Sequence, residues 1–383
     1  RLVDPAAKSG NLLGMGLTEK QGGSDVRANT SEAVAVNRGG PGGEYRLTGH
    51  KWFTSAPMCD AFLMLAQARG GISCFLVPRI LPDGARNSLH LMRLKDKLGN
   101  RSNASSELEY ADAAGWLVGE EGRGINVIIK MVTATRVDVT NWSASLMRQG
   151  VSQAAWHVSQ REAFGDLLID KPLMQNVLAD LELETEVGTM MVMRLAGAYE
   201  RAPVNEHDAV FLRLSSAVAK YWLSKRSTPV VREALECVGG NGYVEESIMP
   251  RLYREAPLNA IWEGAGNVIA LDVLRALQRA PESGQAFLDE LELARGADRV
   301  YDAELDQLRQ LVTSPNLAER DARRLVERLA VCWGASLCLR HEPSIADAYV
   351  RSRLDGDWGT EFGTLCSQVD VDLIARRAIP NPK

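Results

Sequence analysis

The spacing of apolar residues changes once along this chain, near residue 122. Over residues 12–118, apolar and polar positions alternate in short runs, for example at 45–48, 61–65 and 72–77, and Gly, Pro and Asn interrupt them. A period of two is typical of strands that bury one face, and short runs between turn residues favour an antiparallel sheet. The first part of the chain is therefore predicted to be a β-sheet domain.

From Gly124 onward the apolar period is helical. A helix is predicted after Pro172, where apolar residues follow i, i+3, i+4 spacing: Leu173, Met174, Val177, Leu178 and Leu181. Several long helices with short links suggest a four-helix bundle. Since 383 residues exceed the usual size of one hydrophobic core, we predict a β-sheet domain over 1–122, a helical bundle domain over 123–280 and a further helical region over 281–383.

Composition excludes several classes of protein. The chain is 45% hydrophobic and 24% charged, as expected of a globular protein, and no apolar run approaches the roughly 18 residues that a membrane span needs. The net charge of −5 provides no general attraction to nucleic acid. The six cysteines lack metal-ligand spacing, so we predict no metal site and expect buried free thiols in a reducing cytoplasm.

Two glycine-containing segments about 240 residues apart carry most of the chemical information: GLTEKQGGSDV at 16–26 and IWEGAGN at 261–267. Glu263, between Trp262 and a glycine, is a candidate carboxylate base. The glycines would let backbone N–H groups approach a planar ring or a phosphate. Two other interpretations stay open for the segments taken singly: the first is a turn before a strand, and Glu263 caps a helix that begins near Asn267.

Further motifs stand between these two segments, in the order GHKWFTS at 49–55, KLGNRS at 97–102, GEEGRG at 119–124, QREAFG at 160–165 and ECVGGNGY at 236–243. Together the ordered set resembles the acyl-CoA dehydrogenase superfamily. The resemblance implies FAD as cofactor and an α+β fold with a barrel-like antiparallel β-sheet middle domain, a four-helix-bundle domain and an extra C-terminal helical region. It also implies that the N-terminal helical domain of the family is largely absent from this chain, which begins at Arg1 just before the flavin loop.

The resemblance assigns roles residue by residue. Glu263 would remove the α-proton of an acyl-CoA thioester while a hydride leaves the β-carbon for the flavin, and Arg136 would lie at the acyl-CoA site. Three groups would contact FAD. The flavin loop and its neighbouring strand supply Met15, Leu17, Thr18, Gly23, Ser24, Trp52, Phe53, Thr54 and Ser55. The base loop supplies Ile261, Trp262, Gly264, Gly266 and Asn267. Arg161, Phe164, Gly239 and Gly240 would meet the FAD, in the case of Arg161 usually that of a neighbouring subunit.

A narrower resemblance comes from TEKQGGSDV, KDKLGNRSNAS, RLYREAP, IWEGAGNV and the long C-terminal stretch. These resemble a subfamily of FAD-containing homotetramers, dimers of dimers, with weak dehydrogenase activity and an association with double-stranded DNA and the response to alkylating agents. Arg275 matches an arginine that this subfamily uses toward DNA.

The charge of the C-terminal region argues against a diffusely basic DNA-binding tail. Residues 281–383 hold 13 Lys and Arg against 18 Asp and Glu, a difference of −5. A local patch is still possible from Arg320, Arg323, Arg324, Arg328, Arg340, Arg376 and Arg377, although a solvated helix face is the more usual explanation of such a run.

Two alternatives to a DNA-associated dehydrogenase remain. One is an ordinary acyl-CoA dehydrogenase that passes electrons to an electron-transfer flavoprotein, which Arg136 favours. The other is a non-catalytic flavoprotein that binds and shields DNA.

Overall fold

The computed structural model describes residues 10–314 and 317–380, apart from the side chain of Lys130. The chain divides into two compact units, Arg1–Val132 and Thr133–Lys383, and the boundary falls within the first helix. The domain limits expected from the sequence, after residues 122 and 280, remain predictions.

The first unit is built on one seven-stranded sheet. Its strands are β1 Leu13–Gly16, β2 Glu32–Ala35, β3 Glu44–Ser55, β4 Ala61–Ala68, β5 Gly71–Pro78, β6 Leu89–Leu94 and β7 Ser105–Val118. The order across the sheet is β1-β3-β2-β4-β5-β7-β6, with additional β1–β4 and β3–β7 pairings.

The predicted antiparallel sheet is confirmed for most pairs, but β4 pairs in parallel with both β1 and β2. In the β1–β4 ladder Met15 lies opposite Leu63 and Gly16 opposite Met64. Alternation along a strand shows which face is buried and carries no information about the direction of its partner, so the parallel pairs could not be predicted.

The second unit contains most of the helices. They are α1 Gly124–Gln160, α2 Pro172–Arg201, α3 Glu206–Cys237, α4 Met249–Glu255, α5 Gly266–Arg279, α6 Pro281–Glu292, α7 Arg299–Val312, α8 Ala322–His341, α9 Pro343–Tyr349 and α10 Val371–Arg377. A two-stranded hairpin, β8 Glu162–Ala163 and β9 Asp166–Leu167, lies between α1 and α2. No helix in the described part of the chain is long and apolar enough to cross a membrane.

Local sequence explains where these helices begin. Pro172 occupies the first turn of α2, where its missing N–H is no loss, so the helix predicted after this proline is confirmed. Asn205 caps α3 by accepting from the Asp208 N–H, and Asp298 caps α7 by accepting from two N–H groups. The apolar faces of α2, α3, α5 and α8 meet in one core, and the large side chains at its centre include Trp333 and Phe287.

Candidate active site

The loop that carries Glu263 runs from a short 3₁₀ turn, Ala256–Ala260, to the start of α5 at Gly266. Glu263 has a φ of 54° and Gly264 a φ of 100°. A glutamate in the left-handed region is held there by its surroundings, since this conformation costs energy. At Gly264 an added Cβ would also lie 2.8 Å from the Ile269 side chain. Backbone conformation and packing therefore both require a glycine after the candidate base.

The Glu263 side chain is half-buried, and the Thr135 hydroxyl donates a hydrogen bond of 2.8 Å to its Oε2. The N-cap of α5 is Ala265, and no side chain caps this helix. The capping interpretation of Glu263 is therefore wrong. A carboxylate fixed by one hydroxyl on helix α1 has the geometry of a group that can accept a proton from a bound molecule.

Trp262 is fixed by groups that sequence reasoning missed. Its indole N–H donates to Asn259 Oδ1 at 3.1 Å, and its ring centroid lies 5.3 Å from that of Trp142. Two other predicted cofactor residues of this loop, Ile261 and Asn267, are exposed. The loop thus combines a rigid aromatic anchor with accessible residues on either side of Glu263.

Arg136, the predicted substrate residue, is 8% exposed and forms an ion pair with Asp272 of α5. The Arg136 Nη1 to Asp272 Oδ2 distance is 2.7 Å, and Arg213 of α3 binds Oδ1 of the same carboxylate at 2.9 Å. Burial opposes ionisation of Asp272, but the two guanidinium groups hold its pKa below the usual range. Arg136 therefore joins α1 to α5. It directly follows Thr135, whose hydroxyl binds the candidate base.

In the first unit, β1 and β3 bring the predicted flavin loop and the predicted flavin strand together. The Trp52 N–H donates to the Thr18 carbonyl at 2.8 Å, and Gly16 pairs with Thr54. Met15 and Leu17, on either side of Gly16, are half-buried. Two motifs about 30 residues apart in sequence are therefore neighbours in the sheet.

The exposed predicted residues of this unit are Gly23, Ser24, Phe53 and Ser55, whereas Thr54 is buried. At Gly23 a side chain is excluded, because an added Cβ would lie 2.3 Å from Thr18 Oγ1. The exposed set offers two hydroxyls and one aromatic ring to a ligand.

Three cations surround Trp52, and sequence reasoning found none of them. Lys95 Nζ lies 3.2 Å from the indole centroid, and Arg93 and Lys20 lie at 5.6 and 5.7 Å. Lys95 and Arg93 also bind Glu107 of β7. The cluster was missed because Lys20, Arg93 and Lys95 are distant from Trp52 in sequence and meet it only in the folded sheet.

The remaining predicted cofactor residues lie in the second unit. Arg161 is exposed and lines an open cavity of about 290 Å³ together with Trp156, His157, Val238 and Met249. Gly239 and Gly240 follow Val238 directly, and a side chain at either would meet open space. Phe164, at the tip of the β8–β9 hairpin, is 97% exposed with a φ of 54°.

Within each unit, taken by itself, the exposed groups fit one part of FAD. In the first unit, Trp52, Phe53 and the Thr18 hydroxyl match a flat ring with a polar edge. In the second unit, no ion pair of Arg161 occurs with any described residue, so this exposed cation matches a diphosphate. The carboxylates and cysteines of the described residues form no group that could hold a metal ion.

Comparison with known proteins identifies the class. The acyl-CoA dehydrogenase middle-domain family matches residues 14–113, and the acyl-CoA dehydrogenase C-terminal-domain family matches residues 122–278. The chain belongs to the acyl-CoA dehydrogenase family, whose members are oxidoreductases that act on CH–CH donors and use FAD. The predicted fold class is thereby confirmed.

Two relatives within this family can be named. The chain is 45% identical to the putative acyl-CoA dehydrogenase AidB of Escherichia coli over 98% of its own length and 68% of that protein. It is 34% identical to acyl-CoA dehydrogenase family member 11 of Caenorhabditis elegans, over 79% of this chain and 50% of that protein. The chain thus spans between half and about two thirds of these relatives.

Solved structures also match the fold of this chain. Caenorhabditis elegans ACDH-11 in complex with C11-CoA matches with a TM-score of 0.78 and 28% identity, over 96% of this chain and 64% of that one. An acyl-CoA dehydrogenase complexed with FAD from Bacillus anthracis has a TM-score of 0.72 over 95% of this chain and 74% of that one, and its 18% identity supports the fold alone. Both matches extend over nearly the whole chain, including residues beyond the family match that ends at 278.

Proposed function

We propose that this chain forms the flavin-binding and base-carrying part of an acyl-CoA dehydrogenase, in which Glu263 removes the α-proton of an acyl-CoA thioester. The observation that carries the proposal is the Glu263 carboxylate itself. It stands in a left-handed turn, half-buried, with the Thr135 hydroxyl 2.8 Å from Oε2. Strained backbone at a titratable group is a feature of functional sites.

Desaturation of a thioester needs a base on one carbon and a hydride acceptor for the next. FAD, when bound, supplies the acceptor. The residues of this chain do the rest: Glu263 takes the proton on a carboxylate oxygen, and Thr135 orients that carboxylate. Arg136, paired with Asp272, keeps α1 and α5 in register around the base loop.

We propose an acyl-CoA as substrate because of the family and because one structural relative carries C11-CoA. The likeness to a putative acyl-CoA dehydrogenase supports activity on such thioesters. We propose that this activity is weak, as the narrower sequence resemblance implies, and the physiological substrate stays unassigned. Electrons would leave through an electron-transfer flavoprotein in the ordinary case.

We further propose that the protein forms a homotetramer, arranged as a dimer of dimers. Phe164 is almost fully exposed at a hairpin tip, next to the exposed Arg161. An exposed aromatic beside a free cation is suited to contact with a neighbouring subunit or its FAD.

The test is anaerobic mixing of the FAD-loaded protein with saturated acyl-CoA thioesters of increasing chain length, including the C11 thioester, while flavin absorbance is followed. We expect bleaching in the wild type and a loss of about 10²- to 10⁴-fold in its rate for Glu263→Gln. Glu246→Gln, a change at an exposed carboxylate, serves as control and should bleach normally. Retained FAD without bleaching by any thioester would contradict the proposal and favour the non-catalytic alternative.

Binding to double-stranded DNA is a second candidate function, linked in the AidB-like subfamily to protection against alkylation damage. One observation favours it. Arg275 of α5 is exposed, and no described residue forms an ion pair or hydrogen bond with its side chain. An unpaired surface arginine is free to meet a phosphate, and the salt dependence of DNA binding tests this role.

A further inference from the structure

Lys220 is a buried lysine beneath the base loop. It lies in the middle of α3, is 1% exposed, and its Nζ donates to the Gly264 carbonyl at 2.5 Å. A lysine is rarely so fully buried, since the charged form loses its hydration. The group it binds belongs to the residue directly after Glu263.

The Gly264 carbonyl is a natural point to anchor this loop. Glu263 and Gly264 both have left-handed backbones, and such a turn persists only where outside contacts hold it. Thr135 holds the Glu263 side chain, and Lys220 holds the backbone one residue later. The two contacts come from different helices, α1 and α3.

Three charged groups act on Lys220. They are Arg136 on α1, Glu263 in the base loop and Lys225 on α3 itself, and Lys225 in turn feels Arg323 on α8. Arg136 is paired with Asp272 on α5, which Arg213 also binds. Burial, and then the positive charge of Arg136, lowers the pKa of Lys220 to about 7, whereas Glu263 raises it.

We propose that Lys220 is a positioning residue for Glu263: its Nζ anchors the base loop through the Gly264 carbonyl, and its charge sets how strongly Glu263 attracts a proton. This inference rests on the proposed function of Glu263 and adds a second titrating group to it.

The direction of the effect follows from the charges. At acid pH the positive charge of the protonated Lys220 opposes the arrival of a proton in the base loop. As the pH rises through neutrality Lys220 loses its charge, but a neutral amine still carries N–H groups that can donate to Gly264. Glu263 then attracts the α-proton more strongly, so proton abstraction should accelerate across neutral pH.

The experiment uses the FAD-loaded full chain and measures two quantities. One is the rate of flavin bleaching by the best acyl-CoA of the panel as a function of pH. The other is backbone hydrogen exchange of the peptide that contains residues 256–266. Lys220→Gln keeps a donor and removes the titration, and Lys220→Met removes both. Arg232→Met, at the exposed end of α3 where Arg232 pairs with Glu233 and Glu361, is the matched control.

In the wild type we expect the bleaching rate to rise roughly threefold to tenfold across neutral pH. Lys220→Gln should abolish this rise and keep wild-type exchange in the loop. Lys220→Met should abolish the rise and also accelerate loop exchange about tenfold, whereas Arg232→Met should match the wild type in both measurements.

A rise that persists in Lys220→Gln, or loop exchange that is unchanged in Lys220→Met, would overturn the inference. If Lys220→Met does not fold, the pH profile of Lys220→Gln still decides. If no acyl-CoA bleaches the wild type, the proposed function fails and the effect of the Lys220 charge fails with it. The exchange measurement then still shows whether Lys220 anchors the loop.

Discussion

Glu182 of α2 is a buried carboxylate outside the candidate site, with 1% of its surface exposed. Its Oε1 accepts from Arg148 at 2.9 Å, while Oε2 has no hydrogen-bond partner among the described residues. Burial raises the pKa of Glu182 to about 7, and Arg148 offsets only part of this. The folded chain therefore holds a proton that the unfolded chain has lost between pH 4.5 and about pH 7.

Glu182→Gln should consequently become more stable relative to the wild type as the pH rises. The wild type is most stable below the pKa that Glu182 has in the unfolded chain, and it loses this stability as the pH rises through the pKa in the folded chain. Glutamine does not ionise, so the variant does not lose stability in this way. Between about pH 5 and pH 8 the free energy of unfolding of the variant, relative to wild type, should rise by about 2–3 kcal/mol. Urea unfolding at both pH values measures this, with the exposed Glu246→Gln as reference. A difference that does not change with pH would contradict the account.

Residue identities at the site differ in how well sequence reveals them. Glu263 could be proposed from the sequence because its motif combines a carboxylate with glycines, and the structure shows that the backbone at Gly264 needs one. Lys220 was not, because a lysine inside a helix resembles any solvated lysine until the helices pack around it. The same holds for Lys95, which reaches Trp52 across strands.

At the scale of elements, one buried ion pair joins the predicted flavin loop to the strands β3 and β4. Glu19 and Lys51 are both fully buried, 2.7 Å apart, and Lys51 also donates to the Leu65 carbonyl of β4. Glu19 in addition accepts from the backbone and hydroxyl groups of Thr30 and Ser31. Burial opposes ionisation, but the hydrogen bonds led by that from Lys51 hold the pKa of Glu19 well below its usual range.

Breaking this pair from one side should cost more than removing both charges. Glu19→Gln and Lys51→Met each leave a buried charge or polar group without its partner, and we expect each to lower the free energy of unfolding by about 3–5 kcal/mol. The double variant removes both charges and should therefore lose less than either single variant. Because Thr18 and Trp52 flank the pair, the single variants should also retain less FAD after gel filtration.

The surface pair Glu245 and Arg254 is the control for this cycle, and Glu245→Gln should leave the free energy of unfolding almost unchanged. Strict additivity of the Glu19 and Lys51 changes, or undiminished FAD retention in both single variants, would show that the pair does not brace the loop.

The positions of several strands and helices were predictable from the sequence. The alternating runs at 45–48, 61–65 and 72–77 became β3, β4 and β5, and the stripe after Pro172 became α2. Leu173 is an exception, because it is 83% exposed although it fits the stripe. Apolar periodicity identifies one face of a helix, but it does not show whether another element covers that face at a given residue.

On the scale of the whole molecule, ion pairs within the chain neutralise most of the arginines from which a basic patch was considered. Arg328 binds Glu304, and Arg340 binds Glu290. Arg376 binds Asp170 and Asp372, the latter on its own helix α10. Arg377 binds Glu186 of α2 and Glu342 between α8 and α9. Such pairing depends on which helices pack together, so a count of charges along the sequence could not reveal it. This pairing argues against a DNA-binding surface along the whole C-terminal region, although Arg324 is exposed and forms no ion pair with a described residue. Arg275 of α5 is the residue to test, because the sequence resemblance points to it.

Because the whole chain has a net charge of −5, we expect any DNA binding to come from local phosphate contacts and to be sensitive to salt. If Arg275 makes one such contact, Arg275→Ala should lower the affinity for double-stranded DNA of any sequence and reduce the slope of log K against log salt by about 0.9. Fluorescence anisotropy with a labelled duplex over a series of salt concentrations measures both the affinity and the slope.

Arg232→Ala, at an exposed arginine already paired with two carboxylates, is the control and should leave the slope unchanged. An equal slope for wild type and Arg275→Ala would exclude Arg275 from the contact, and no binding by the wild type at low salt would exclude the DNA role for this part of the protein.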